Sequence, residues 1–216
     1  MVLVQNDYEY NKLKNNYKIK NLIILKKGID FSVLKESGCK EIDCIWIGRC
    51  EEWKKPELFL NLAKKFKNHK FLMICPPATG KMSHFNQIKD KAEKIDNLKF
   101  LSKVNNQEVY KYLSISRVFC LTSEKEGDWP MTVLEASANR LPILSMFIDH
   151  GGILSNQASC GFYADKSFEK LSYGLEKLLL DDSFYEQNKK NIFEYVCKYH
   201  DIKKNSLELY STLTRL

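Results

Sequence analysis

The sequence has 216 residues, enough for one domain with a small extension, and carries a net charge of +7. It is 44% hydrophobic and 28% charged, a globular composition that excludes a disordered chain, a collagen and a small disulfide-rich scaffold. No apolar run approaches the ~20 residues that cross a bilayer. Because the start of the chain turns polar at Gln5, too early for a signal peptide, we expect a soluble, cytoplasmic protein.

The first 26 residues predict a short lead-in to the main domain. Val2-Leu3-Val4 predicts a strand, residues 8–17 predict a helix rich in Lys, Asn and Tyr, and residues 22–25 predict a second strand. We interpret residues 1–26 either as part of the same domain or as the stub of a missing one, and residues 27–216 as one domain that ends in helices.

The rest of the chain alternates short apolar runs with segments of helical period. Weakly alternating runs of this kind are typical of strands covered on both faces. Strands are predicted at residues 42–47, 70–75, 98–101, 117–121 and 142–146, with an edge strand at residues 160–164. Helices are predicted at residues 56–66, 82–95, 107–113, 131–139 and 171–178, followed by further helices over residues 184–213.

This alternation predicts an α/β fold, a doubly wound, mainly parallel Rossmann-like sheet of about six strands with helices on both faces. Sheets of this class bind their ligands at the carboxyl ends of the strands. Functional residues are therefore expected in the loops that follow the strands.

The loop after the strand at residues 42–47 contains two cations. Gly48 ends the strand and lets a ligand approach the backbone, Arg49 follows it, and Lys54 stands just before a helix. A guanidinium, an ammonium and a helix N-terminus together suit a diphosphate. The alternative is that Arg49 pairs with Glu51 or Glu52 and that Lys54 is solvated.

The loop after the strand at residues 117–121 is acidic and leads into another helix. Glu126 lies in the loop and Glu135 lies in the helix, where carboxylates can accept hydrogen bonds from vicinal sugar hydroxyls. The backbone N–H groups of Met131 and Thr132, at the start of the helix, can face a phosphate. The alternative is an ordinary helical glutamate and an exposed loop charge.

The cysteines and histidines predict no metal site. The seven cysteines contain no C-x-x-C pair, and Cys44, Cys75 and Cys120 fall within apolar runs, as buried thiols of a reducing compartment do. The four histidines have no metal-ligand spacing. Asp181-Asp182 is interpreted as a helix start rather than as a metal motif.

The positive charge does not predict a nucleic-acid partner. Of the 34 Lys and Arg residues only four are arginine, and the lysines are scattered over predicted helical surfaces. A nucleic-acid-binding face more often concentrates Arg and aromatic residues. We favour a solvated lysine surface over an anionic partner surface.

Together the two loops resemble a known family. Gly48-Arg49 with Lys54, followed by Glu126-Gly127 and Leu134-Glu135-Ala136, is similar to the donor-binding, C-terminal half of the group 1 retaining glycosyltransferases, which have the GT-B fold. Further similar segments are Lys27-Gly28-Ile29-Asp30, Leu98–Leu101 with Lys103-Val104, residues 117–123, Arg140-Leu141-Pro142-Ile143, Gly151-Gly152 and Cys160-Gly161-Phe162. The resemblance covers residues 27–180.

The resemblance implies roles for individual residues. Arg49 and Lys54 would hold the diphosphate of a nucleotide-sugar donor and neutralise the leaving nucleotide, with Lys55 as the substitute if the loop is shifted by one residue. Glu135 would bind the ribose hydroxyls and Glu126 the transferred sugar. The residues around position 104, Val104 included, would contact the base through the backbone.

Two departures from the family pattern matter. The family places seven residues between its two glutamates, whereas eight lie between Glu126 and Glu135 here, so that either the loop has gained a residue such as Asp128 or another acid serves the sugar. The N-terminal, acceptor-binding half of the family is missing, although Val2-Leu3-Val4-Gln5 resembles its end.

The leading hypothesis is therefore the nucleotide-sugar-binding domain of a glycosyltransferase that makes a polysaccharide or glycolipid. It would use a glycan or lipid-linked glycan acceptor and an acceptor-binding domain or separate subunit, at the inner face of the membrane if the acceptor is lipid-linked. The family requires no cofactor or divalent metal. The alternatives are a non-catalytic module that kept the sheet but lost the chemistry and, less favoured, a nucleic-acid-binding domain.

Overall fold

The computed structural model describes residues 1–34, 39–155 and 159–214, which form strands and helices in alternation. The strands are β1 (Val2–Val4), β2 (Leu22–Ile24), β3 (Ile42–Ile47), β4 (Phe71–Ile74), β5 (Leu98–Leu101), β6 (Ser116–Leu121), β7 (Ile143–Ser145) and β8 (Gly161–Tyr163). The helices are α1 (Asp7–Asn16), α2 (Pro56–Lys65), α3 (Met82–Ala92), α4 (Asn106–Ser114), α5 (Met131–Ala138), α6 (Phe168–Leu180), α7 (Asp182–Tyr199) and α8 (Ile202–Leu213).

Six strands form one parallel sheet in the order β5-β4-β3-β6-β7-β8. The chain builds outward from β3 through β4 to β5, then returns to the other side of β3 with β6. This reversal between β3 and β6 is the topological switch point at which doubly wound sheets bind ligands. The predicted α/β fold is confirmed, and β8 is the predicted edge strand.

The two faces of the sheet carry separate apolar layers. Along β3, Cys44 and Trp46 point into the layer made with α2, α3 and α6, while Ile45 points into the layer made with α4, α5 and α7. Alternate side chains of a strand point to opposite faces, so a strand buried on both sides has an almost continuous apolar run. Cys75 and Cys120 lie in the first layer, and all three cysteines are buried as predicted.

Most predicted elements are found within two residues of their expected bounds. The exceptions are α6, which begins at Phe168 rather than at residue 171, and α3, which ends at Ala92 rather than at residue 95. After α3 the chain turns at once, through hydrogen bonds from Ile95 N to Ala92 O and from Leu98 N to Ile95 O, since β5 must come back beside β4. Asp181 accepts a hydrogen bond from Phe184 N and caps α7, as expected of a helix start.

The lead-in residues form a small unit of their own. Strands β1 and β2 pair in parallel as a two-stranded sheet, and α1 connects them. The side chain of Asn6 caps α1 and also donates to the carbonyl of Gly127, 3.2 Å away, so the unit contacts the loop after β6. Within the described residues, none of the helices combines the length and the apolar character that spanning a membrane requires.

Candidate active site

A cavity of about 330 Å3 opens at the carboxyl ends of β3 and β4, opposite the first turns of α4 and α5. It lies at the switch point of the sheet, where this class of fold binds ligands. Its lining comes from the strand ends (Ile47, Gly48, Arg49, Ile74 and Pro76), from the region of α4 (Lys103, Val104, Asn106 and Val109) and from α5 (Met131, Thr132 and Glu135). Six of the eight predicted site residues therefore share one cavity; Lys54 and Glu126 do not line it.

Arg49 stands at the rim of this cavity with an exposed side chain. Backbone hydrogen bonds on either side, from Gly48 N to Ile74 O and from Cys50 N to Pro76 O, hold its loop against the end of β4. Among the described residues no carboxylate lies within ion-pair distance of its guanidinium, so the alternative of a local Arg49–glutamate pair is wrong. A guanidinium in this position is available to an anion.

Lys54 and Glu126 form an ion pair beside the cavity. The Nζ atom of Lys54 lies 2.7 Å from Oε1 of Glu126, and only 14% and 13% of the two side chains are exposed. The ammonium also lies 4.5 Å from the ring centre of Trp53. Lys54 is therefore not a solvated lysine, and the two residues that the sequence placed on separate loops meet directly.

The loops that carry this ion pair are joined through their backbones. The hydroxyl of Thr122, at the end of β6, donates to the carbonyl of Lys54 over 2.6 Å and accepts a hydrogen bond from Nε1 of Trp46 over 2.9 Å. The N–H of Glu124 donates to the carbonyl of Trp53 over 2.8 Å. Since Trp46 and Thr122 are buried, these bonds fix Lys54 relative to the sheet.

Lys55 is directed to a different partner. Its backbone has a φ of 48°, in the left-handed region, and its ammonium lies 3.1 Å from Oε1 of Glu124. A Cβ atom at Gly48 would instead lie 3.1 Å from Cδ of Lys54, so the side chain of Lys54 passes directly over Gly48. Of the two lysines, Lys54 is therefore the one that lies beside Gly48.

Glu135 is the carboxylate of the cavity. It is half-buried on α5, and burial raises its pKa, an effect that a hydrogen bond from the hydroxyl of Tyr110 partly offsets. Burial, together with the charge of Glu135, raises the pKa of Tyr110 to about 12, so this hydroxyl remains a donor. No cation lies within ion-pair distance of Glu135 in the described part of the chain. The carboxylate can accept hydrogen bonds from a ligand.

The first turn of α5 adds donors without charge. Met131 and Thr132 line the cavity immediately after Pro130, and the first N–H groups of a helix have no intrahelical partner. Such a helix start attracts anions through its unpaired donors and its dipole. The cavity therefore combines a free guanidinium, a helix N-terminus and a carboxylate.

A match to the family described as Glycosyl transferases group 1 covers residues 35–195, most of the chain. The chain belongs to this family. No curated protein matches the sequence significantly.

Solved structures with the same fold extend beyond this chain. Sucrose-phosphate synthase from Thermosynechococcus elongatus has a TM-score of 0.80 at 14% identity, covering 99% of this chain and 57% of the synthase. HepE from Anabaena, solved in complex with UDP and glucose, has a TM-score of 0.76 at 12% identity, covering 90% of this chain and 57% of HepE. The C-terminal domain of the group 1 glycosyl transferase LpcC from Francisella tularensis, with a TM-score of 0.68 at 17% identity, is covered completely by 81% of this chain.

The acidic loop of this group 1 glycosyltransferase domain directs its three carboxylates to three different lysines, with Glu124 on Lys55 as described above. Asp128, considered above as the inserted residue, is directed towards Lys27, with 3.6 Å between Oδ2 and Nζ and only 10% of its side chain exposed. Glu126 contacts Lys54 instead. Of Asp128 and Glu126, only Glu126 therefore contacts the lysine that lies beside Gly48.

Some residues of the site were missed by the sequence analysis. Pro76 follows β4 and could have been found from the rule that ligands bind at strand ends. Val109 and Tyr110 lie on α4, and no local pattern marks a helical residue as a neighbour of Glu135. In the part of the chain that the structure describes, no three His, Cys, Asp or Glu side chains form a potential metal-binding group.

Proposed function

We propose that this glycosyltransferase domain binds a nucleotide-sugar donor in the cavity between β3, β4 and α5. The observation that carries the proposal is that Arg49 and Glu135 line the same cavity, although they lie on different elements and have opposite charges. A nucleotide sugar needs both kinds of group within one cleft, cations for its diphosphate and an acceptor for its hydroxyls.

The diphosphate would lie between Arg49, Lys54 and the start of α5. Arg49 offers the forked donor geometry that matches phosphate oxygens, and Lys54 supplies a second charge beside Gly48. In transfer, negative charge grows on the departing nucleoside diphosphate, so cations fixed in advance stabilise the transition state more than the ground state.

The nucleoside would occupy the part of the cavity lined by α4 and Glu135. Glu135 accepts hydrogen bonds from the ribose hydroxyls, and apolar side chains such as Ile47 and Val109 contact the base, with the backbone near Val104 beside it. Glu126 is the acid for the transferred sugar. HepE, which shares the fold, was solved with UDP and glucose, so UDP-sugars are the first donors to test.

Transfer to an acceptor requires a second binding surface, which we assign to a partner domain or subunit. The chain spans 57% of the length of both sucrose-phosphate synthase and HepE. Exposed apolar side chains, Val2, Leu3, Tyr8, Leu207 and Tyr210 among them, lie on the lead-in unit and on α8. Parallel sheets are ordinarily covered on both faces, and the lead-in unit contains the two-stranded parallel sheet of β1 and β2. We therefore place an acceptor-binding half beside this unit. Closure over the donor would exclude water.

The direct test is calorimetric titration with UDP, GDP and ADP and with their glucose conjugates. The wild-type chain is expected to bind one nucleotide series, and Arg49→Ala is expected to weaken binding by about tenfold or more, the cost of one lost charge-assisted contact. Arg117→Ala is the matched control, because Arg117 lies near the start of β6, at the end of the sheet away from the cavity. Equal loss in both variants, or no nucleotide binding by the folded wild type, would contradict the proposal.

A second candidate is a non-catalytic module that has kept the sheet but lost the chemistry. The observation in its favour is the altered spacing, with eight residues between Glu126 and Glu135. A degenerate module would fold but bind no donor, and Glu135→Ala would then leave every nucleotide titration unchanged. Donor binding that disappears in Glu135→Ala excludes a degenerate module, and sugar transfer to an acceptor would exclude a non-catalytic one.

A further inference from the structure

The ion pair between Lys54 and Glu126 joins the two residues that the proposed function assigns to different parts of the donor. Lys54 would bind the diphosphate and Glu126 the sugar, yet their charged atoms are 2.7 Å apart. Both side chains are largely buried, so water screens the pair weakly. No other hydrogen-bond donor contacts the carboxylate of Glu126 among the described residues.

A nucleoside diphosphate without a sugar would disturb the Lys54–Glu126 ion pair. A diphosphate that contacts Lys54 competes with the Glu126 carboxylate for the same ammonium, and the two anions repel each other. A carboxylate that loses its only donor while still largely buried is unfavourable, because its desolvation is no longer compensated. Binding of a nucleoside diphosphate alone must bear this cost.

A nucleotide sugar provides the missing partner. The hydroxyls of its sugar are hydrogen-bond donors, so they replace the ammonium on Glu126 at the moment when the diphosphate takes Lys54. Resting on the proposed function, we infer that the Lys54–Glu126 ion pair makes the site discriminate between donor and product, opposing a nucleoside diphosphate and admitting the same nucleotide with its sugar attached. Loss of the sugar in transfer then favours re-formation of the ion pair and release of the nucleotide.

The experiment compares UDP, UDP-glucose and inorganic pyrophosphate on the wild type and on Glu126→Gln, with the GDP and ADP series run in parallel. Removing the charge of Glu126 while keeping its size is expected to increase the affinity for UDP and pyrophosphate by about three- to tenfold, the range of one net hydrogen bond that the ligand no longer has to displace. The preference for UDP-glucose over UDP is expected to fall towards one. Glu124→Gln is the matched control, because Glu124 pairs with Lys55 on the surface of the same loop.

A second readout needs no ligand. Acetic anhydride labelling followed by peptide mass spectrometry is expected to modify Lys54 slowly in the wild type and several-fold faster in Glu126→Gln, with Lys55 as the internal reference. If the wild type binds UDP but Glu126→Gln leaves the UDP-to-UDP-glucose ratio unchanged or weakens UDP, the inference is wrong and the proposed function stands. An equal gain in Glu124→Gln would also overturn it. If the wild type and both variants fold but bind no nucleotide, the proposed function is wrong and the inference is wrong with it.

Discussion

The hydroxyl of Tyr110 lies 3.3 Å from Oε1 of Glu135 and donates a hydrogen bond to it. Tyr110 lies on α4 and Glu135 on α5, the two helices on one side of the cavity. This bond orients the carboxylate through Oε1 and leaves Oε2 available to a ligand. Tyr110 is thus a positioning residue for the proposed ribose contact.

Replacing Tyr110 with Phe tests this role. The ring packing remains, but Glu135 loses its donor, so we expect the affinity for the preferred nucleotide to fall by about two- to tenfold, the range of one ordinary hydrogen bond. Calorimetry with the ribonucleotide and its 2′-deoxy analogue is the measurement. The analogue should lose less, because it makes fewer contacts with the carboxylate. An equal loss for both would assign Tyr110 a merely structural role.

Substitution of Glu135 by Gln is expected to change stability in a pH-dependent way. Burial raises the pKa of Glu135 above its ordinary value of 4.5, so the folded state disfavours the ionised carboxylate. The stabilising effect of protonation is complete below pH 4.5 and is lost as the pH rises through the higher pKa of the folded protein. Without ligand, Glu135→Gln should therefore raise Tm at pH 7.5 and leave it nearly unchanged at pH 4. A higher Tm at pH 4 alone would contradict the sign.

The hydroxyl of Thr122 joins the loop after β6 to the loop after β3, and its loss should lower the stability of the protein. Thr122→Val keeps the shape but leaves Nε1 of Trp46 without its acceptor and the carbonyl of Lys54 without its donor. We expect a loss of about 1–3 kcal/mol in the free energy of unfolding, the cost of buried unsatisfied polar groups, measured by urea denaturation. Thr122→Ser, which retains the hydroxyl, should recover most of this loss. A variant as stable as the wild type would show that the bridge is dispensable.

A side chain at position 48 is expected to weaken nucleotide binding. An added Cβ would lie 3.0 Å from the Trp46 ring and 3.1 Å from Cδ of Lys54, and the buried ring cannot give way as the lysine can. Gly48→Ala should displace Lys54 and weaken UDP binding several-fold, at a stability cost of about 1 kcal/mol. Gly127→Ala is the control, because a Cβ there meets nothing within 4 Å. Equal titration curves for both variants would show that Lys54 does not depend on Gly48.

Local signals predict the framework of this protein well, for identifiable reasons. The run Ile42–Ile47 is apolar because β3 is buried on both faces, and Pro56 begins α2 where a missing N–H costs nothing. The end of α3 was predicted less well, because the position of β5, and not helical propensity, determines where the chain turns after Ala92. Tyr110 carries no local signal, since its partner is 25 residues away on another helix.

The sequence by itself determined the alternation of strands and helices, and with it the edge of the sheet at which Gly48, Arg49 and Glu135 lie, because periodicity and strand direction are properties of consecutive residues. The tertiary structure alone decided which charges meet. Lys54 and Glu126 are 72 residues apart, and they touch because β6 pairs with β3 and the buried Trp46–Thr122 hydrogen bond aligns the loops that follow. Strand order and side-chain direction across two loops depend on packing of the whole sheet, so no single segment encodes them.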